Sequence, residues 1–212
     1  MRVLYWIAAG LVAVLMALVV MGLSSTKADD NRAESTVKVM LKNGHGSGVH
    51  IGNGFVITAA HVVEDAKAVT LKSTMGDIQK AEVLWVNKAY DVALLRASRP
   101  ERLSASELAC VAPPVGSSIM SIGNPVHVEF TRHWGRVAGG ERSIGPWGSL
   151  LVTDITTVPG QSGGPVMNSD GKVVGITVGV MRVPMGFASA SYVGVGFIVP
   201  GKTICNLLAR GA

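Results

Sequence analysis

Three side chains, a serine, a histidine and an aspartate, lie in settings suited to acyl-transfer chemistry. Ser162 sits in Gly160-Gln161-Ser162-Gly163-Gly164-Pro165. Taken alone, such a stretch is an ordinary turn, because Gly, Ser and Pro are the commonest turn residues. It is also the setting of a nucleophilic serine, where backbone free of side chains must approach a substrate carbonyl. His61 lies in Thr58-Ala59-Ala60-His61-Val62-Val63, directly after an apolar run. Its small neighbours leave room for an imidazole at a cleft edge, although a lone histidine there is more often structural. Asp91 opens the apolar run Val92-Ala93-Leu94-Leu95. A carboxylate buried beside such a run is costly unless paired or hydrogen-bonded, and an imidazole N–H is one suitable partner. A solvated strand end is the plainer alternative. Together the three would supply nucleophile, general base and orienting acid.

The elements that must bring them together read as β-structure. Glycine is frequent, 26 of 212 residues, aromatics are 5%, and β-branched runs are short. That combination predicts many tight turns and an all-β domain. Strands are expected at Val37–Lys42, Ser47–Ile51, Phe55–Thr58, Ala68–Lys72, Glu82–Val86 and Val92–Arg96. A second set follows at Ser118–Ile122, Phe130–Val137, Leu150–Thr153, Pro165–Met167, Val173–Val180 and Val193–Val199. The polar stretch Ala97–Glu107, with Ala112-Pro113-Pro114, divides them into two groups. Strands at this density argue for antiparallel barrels or a sandwich. Only Pro200–Ala209 has helical spacing, with Ile204, Leu207 and Leu208 on one side.

The order His61, Asp91, Ser162 is that of the chymotrypsin-type scaffold among the several chain orders of Ser-His-Asp sites. The motifs TAAHVV, YDVALL and GQSGGP, with two strand sets, resemble the trypsin-like proteases. The HtrA/Deg-like branch is closer still. Ser121-Ile122-Gly123-Asn124-Pro125 looks like its SIGNP segment, Thr153-Asp154 like its TDA segment, and Gly194–Pro200 like its GIGFAIP segment. The resemblance covers about Ser35 to Leu208. It implies two six-stranded antiparallel Greek-key barrels, residues 36–110 and 111–199, and a C-terminal helix over 200–212. It also implies peptide-bond hydrolysis of protein substrates, no cofactor or metal, and the trimeric assembly common among HtrA-like proteins. The oxyanion hole falls to the N–H groups of Gly160 and Ser162, and regulatory loops to Val126–Trp134 and Arg182–Tyr192.

The pattern departs from the family at three places. Gln161 stands where trypsin-like enzymes carry Asp and HtrA-like ones Asn, so pairing with a freed N-terminal ammonium is not expected. No PDZ-type segment follows the barrels, and Cys110 lacks the vertebrate-type disulfide partner. Thr156 replaces the acid of enzymes that cut after Lys or Arg, and a basic side chain entering there would be unpaired. Small or medium apolar residues are therefore expected before the cut, with Ile176, Thr177 and Val178 in a pocket wall running from Ile176 to Val180.

Residues Val3 to Leu23 carry no charge. As a helix they would reach roughly 31 Å, about the thickness of a bilayer's apolar core. A cleavable signal core is usually shorter, about 7 to 15 residues. Residues 1–24 are thus expected to form a transmembrane anchor, with 25–35 as a polar linker. Cleavage after Ala28 is the rival reading. Tyr5 and Trp6 near its start suit the membrane interface, and Arg2 before the span, by the positive-inside bias, is expected to keep the N-terminus in the cytoplasm and the domain outside.

The remaining signals are weaker. Cys110 and Cys205 form no CxxC, and buried free thiols are the plainer expectation, a disulfide being open to them outside the cytoplasm. The net charge of +5 is scattered. Its densest patch, Arg132–Arg136, is too short for a nucleic-acid surface. Gly44–Gly48 reads as a glycine-rich hairpin rather than a phosphate cradle, because no helix pattern follows it. His45, His50, His127 and His133 match no metal spacing and read as surface or turn residues. Met181–Met185 with Phe187 reads either as a loop near the pocket or as an apolar surface loop.

Overall fold

The computed structural model describes residues 33–145, 147–184 and 190–211, with Val12 and Met16, and all their side chains except those of 180–184 and 190–193. The chain divides into two units, residues 1–32 and 33–212. Of the expected span only Val12 and Met16 are described, both helical and exposed; the rest lies outside the described residues. Among the described residues no helix is long and apolar enough to cross a membrane.

The first barrel contains β1 (Thr36–Leu41), β2 (Gly44–His50), β3 (Phe55–Thr58), β4 (Ala68–Ser73), β5 (Ile78–Asn87) and β6 (Val92–Ala97). The second contains β7 (Ser118–Gly123), β8 (Thr131–Ile144), β9 (Trp147–Thr153), β10 (Pro165–Met167), β11 (Val173–Pro184) and β12 (Ala190–Pro200). Each closes on itself through antiparallel pairs, in the orders β1-β2-β3-β6-β5-β4 and β10-β11-β12-β9-β8-β7. The expected pair of six-stranded barrels is present. The second unit also holds the helices α1 (Ala60–Val63) and α2 (Gly201–Arg210) and a 3-10 turn at Pro100–Arg102.

Alternation explains the first barrel. Val37 and Val39 of β1 and Val69 and Leu71 of β4 turn inward and meet Leu95 of β6 in one core. β6 is buried on both faces: its Val92 and Leu94 join Ile57, Leu150, Met167 and Ile176 in a cluster shared by both barrels. A fully buried aliphatic side chain of this kind contributes roughly 1.5–3 kcal/mol. The shared cluster is what holds together the edges from which Asp91 and Ser162 project.

Several elements differ from the sequence expectation. β5 begins at Ile78 rather than Glu82; its first residues alternate exposed and buried, but with Ile78 outside and Gln79 inside, the usual hydropathy signal of a strand is lost there. β8 runs on to Ile144 through register shifts at Gly139 and Arg142 that break any simple period. β11 extends through Met181 to Pro184, so part of the expected Met181–Met185 loop is strand, and residues 185–189 lie outside the described ones. α1 was not expected at all, being a single turn too short to show a helical period.

Two expectations are overturned. Cys110 and Cys205 are not free thiols but form a disulfide, with Cα atoms 5.6 Å apart. It ties the connector after β6 to α2, a proximity across 95 residues that spacing along the chain cannot reveal. His50 is not a surface histidine but is 3% exposed. Its Nδ1–H donates to Ser104 O at 2.9 Å and its Nε2 accepts the Gly54 N–H at 3.2 Å, so both nitrogens are satisfied inside the protein.

Candidate active site

His61 stands in α1, immediately after β3, on the rim of an open cleft of about 700 Å3 whose other rim carries Gly160 and Ser162. Ala59 and Ala60 are buried beneath the turn, so the small residues flanking His61 let the helix sit flush on the barrel. The imidazole is left half-exposed, at 47%. Asp91 lies at the base of β6, 2% exposed and with φ 55°. Asp is one of the few residues that enter the left-handed region without a large penalty. Its Oδ1 accepts the His61 backbone N–H at 2.9 Å and its Oδ2 the ring Nδ1 at 2.7 Å.

A carboxylate can only accept. The proton of a neutral His61 ring therefore resides on Nδ1, and Nε2 keeps its lone pair. No hydrogen bond joins Ser162 to His61 among the described residues; such bonds are often long before substrate arrives.

Ser162 occupies a turn just ahead of β10, held from several sides. Ser47 N–H donates to Ser162 O at 2.8 Å, and Gly163 N–H donates to Thr177 O at 2.6 Å. Gly163 has φ +83°, and a Cβ there would run into Ser47 O, Thr58 Oγ1 and Ala59 N. Gly160 has φ +95°, and a Cβ there would run into Asn124 O and His45 Nε2. Gly160 O accepts from Ser47 Oγ at 2.7 Å, and Pro159 O accepts from Val126 N–H at 3.0 Å. In a planar trans peptide the N–H lies opposite the carbonyl. The Val126 bond thus directs the Gly160 N–H away from that loop. Among the described residues, the N–H groups of Gly160 and Ser162 meet no protein acceptor.

The expected pocket residues are placed differently. Thr156 is exposed and stands near Gly194, while Ile176, Thr177 and Val178 have their side chains in the interior. Thr177 supports the serine turn through its main chain and bonds Ser121 Oγ with its hydroxyl at 3.1 Å. From this strand it is Gly179 that lines the cleft, with Thr157, Val158 and Pro159 nearby.

Sequence reasoning also passed over residues that build the site. His45 lines the cleft and donates through Nε2 to Asn124 O at 2.9 Å. Ser47 Oγ receives the Asn124 N–H at 2.9 Å while donating to Gly160 O. The available signal was the glycine spacing of Gly44–Gly48: a Cβ at Gly46 would press on Val62 and Ser162 O. Among the described residues no group of three His, Cys, Asp or Glu side chains could hold a metal ion.

Two closed barrels with His61 and Asp91 on one and Ser162 on the other define the chymotrypsin-like class of fold. The profile described as "Trypsin-like peptidase domain" matches residues 46–176, and the chain belongs to that family. It is similar to the periplasmic serine endoprotease DegP of Salmonella typhimurium, 30% identical over 171 residues covering 78% of this chain and 35% of DegP. It is similar to the magnetosome formation protease MamE of Magnetospirillum gryphiswaldense, 33% identical over 74% of this chain and 21% of MamE. The chain thus spans about a third or less of these relatives. Among solved structures, a serine endoprotease from Yersinia pestis superposes with a TM-score of 0.75 at 25% identity, over 87% of this chain and 65% of that one.

Proposed function

We propose that the chain is a serine endopeptidase of HtrA/Deg type, tethered to a membrane by residues 1–24 with its barrels outside the cytoplasm. Ser162 Oγ attacks a peptide carbonyl while His61 Nε2 takes its proton, later passing it to the leaving amine. Asp91 holds the ring tautomer and stabilises the imidazolium. The N–H groups of Gly160 and Ser162 receive the developing oxyanion, each such donor contributing roughly 2.7–4 kcal/mol to the transition state. The observation that carries this reading is the double acceptance of His61 by buried Asp91 at the cleft shared with Ser162.

The Cys110–Cys205 disulfide supports an oxidising compartment for the barrels. Thr156, with no acid at its position, supports cleavage after small or medium apolar residues. Ile176, Thr177 and Val178 then act from behind the serine turn and Gly179 supplies the wall. Trimeric assembly stays an expectation of the resemblance.

A fluorophosphonate probe tests the reaction. The purified protein is expected to label, and the Ser162→Ala variant to lose all labelling. Folded protein that never labels would instead make this a protease-fold binding module.

A further inference from the structure

Gln161 is 1% exposed, and it is bonded on every side. Its Oε1 accepts the Val158 N–H at 2.7 Å and its Nε2 lies 2.8 Å from His133 Nδ1. Its backbone N–H donates to Val158 O at 3.2 Å, and its O accepts from Gly164 N–H at 3.0 Å. Side chain and main chain therefore both close on Val158, and the residues enclosed between are Pro159 and Gly160. This turn presents the Gly160 N–H.

The direction of the amide is fixed by its partners. Val158 N–H can only donate, so Oε1 must face it and the NH2 must face His133. His133 Nδ1 then has to accept, which requires a neutral ring with its proton on Nε2. A protonated His133 would set N–H against N–H. Rotating the amide to accept from the ring would turn its NH2 upon the Val158 N–H. Either arrangement leaves a donor of the turn without its acceptor in a buried place.

Among the described residues, the groups shown to face His133 offer no substitute. Ser121 faces it from β7, and Gln161 from the turn. The charged groups nearest it on its own strand are Arg132 and Arg136, and the carboxylates beside that end of the strand, Asp154 and Glu129, are engaged elsewhere. The Asp154 carboxylate lies over Gly135 and takes the Arg136 N–H, and Glu129 is held by Lys38 and Lys72. Burial holds the ring below its ordinary value of 6.5, consistent with a neutral acceptor.

We propose that Gln161 is a positioning residue for the reaction and that it requires neutral His133, so that protonating His133 releases the turn that presents Gly160. This deepens the peptidase reading and rests on it. Acid then inhibits twice, once by protonating the base His61 and once by loosening the oxyanion turn.

The test uses the full chain in detergent and two readouts. The first is the rate of fluorophosphonate labelling against pH. For the wild type the acid limb should steepen from about tenfold to about a hundredfold per pH unit where both rings protonate. Gln161→Glu should restore the single-proton slope, because a carboxylate accepts from Val158 N–H and from an imidazolium alike. His133→Asn, which keeps an acceptor and cannot titrate, should do the same. Gln161→Leu should label about a hundredfold more slowly where His133 is neutral, with the KM of a peptide substrate little changed. Its gap to the wild type should narrow in acid, where the wild-type turn is released as well.

The second readout is independent of activity: NMR titration of the Ser162→Ala protein, following the His133 ring, the Val158 amide and the Gln161 side-chain amide. Co-titration of all three is expected. A Val158 amide indifferent to His133, or an acid limb unaltered by both Gln161→Glu and His133→Asn, overturns the inference and leaves the peptidase reading intact. Co-titration in a protein that never labels would sink the peptidase reading and leave the proton-linked turn standing.

Discussion

Asp91 grips His61 at two points, its Oδ1 on the backbone N–H at 2.9 Å and its Oδ2 on ring Nδ1 at 2.7 Å. The backbone contact fixes where the helix turn sits, and the ring contact fixes the tautomer. In Asp91→Asn the amide oxygen would keep the backbone N–H and its NH2 would face Nδ1. The ring proton must then move to Nε2, the atom required as base. With the peptidase reading, kcat is expected to fall about 10^4-fold with KM little changed, measured by steady-state hydrolysis of a peptide. A loss below tenfold would show that the tautomer is not set here.

Gly163 has φ +83° and no room for a Cβ against Ser47 O, Thr58 Oγ1 and Ala59 N. Gly163→Ala is expected to lower stability by at least about 2 kcal/mol, from backbone strain and overpacking together. Denaturant unfolding monitored by tryptophan fluorescence measures it. An alanine variant as stable as the wild type would mean that the serine turn can shift.

The Cys110–Cys205 bond closes a loop of 95 residues that includes all of the second barrel. Replacing both cysteines by serine is expected to cost roughly 2–5 kcal/mol, mainly by freeing the unfolded chain. Urea midpoints of the oxidised wild type and the double variant give the figure directly.

Glu129 accepts from Lys72 Nζ at 2.6 Å and from Lys38 Nζ at 3.0 Å, tying the segment between β7 and β8 to the first barrel. These hydrogen bonds, that from Lys72 foremost, hold its carboxyl below the ordinary 4.5. A lowered folded-state value means that the unfolded chain binds the proton more readily. The contribution is therefore complete above 4.5 and is lost as pH falls through the lowered value. Partly exposed ion pairs of this kind are worth at most about 1 kcal/mol. The stability gap between wild type and Glu129→Gln should be present at neutral pH and close in acid. A gap that persists at the lowest pH would assign the effect to packing instead.

Specificity is tested by digestion of a peptide library with mass-spectrometric readout. Cuts are expected after Ala, Val and residues of similar size. Dominant cleavage after Lys or Arg would require an acid that Thr156 does not provide.

Local chemistry made much of this protein legible from its residues. Short β-branched runs such as Ala68–Lys72 gave β-structure, and glycine, proline and polar breaks separated the strands. The types and order of His61, Asp91 and Ser162 gave the kind of chemistry. What depends on contact between remote segments was out of reach. The disulfide depends on α2 folding back to the connector, the burial of His50 on the reach of Ser104, and the pocket wall on which strand faces turn inward. The partnership of Gln161 with His133 is of the same kind, since nothing between positions 133 and 161 marks them as neighbours. A sequence states which groups each segment offers for burial and for hydrogen bonding. Only closure of both barrels determines which groups are buried together, because their donors and acceptors are satisfied by partners dozens of residues away.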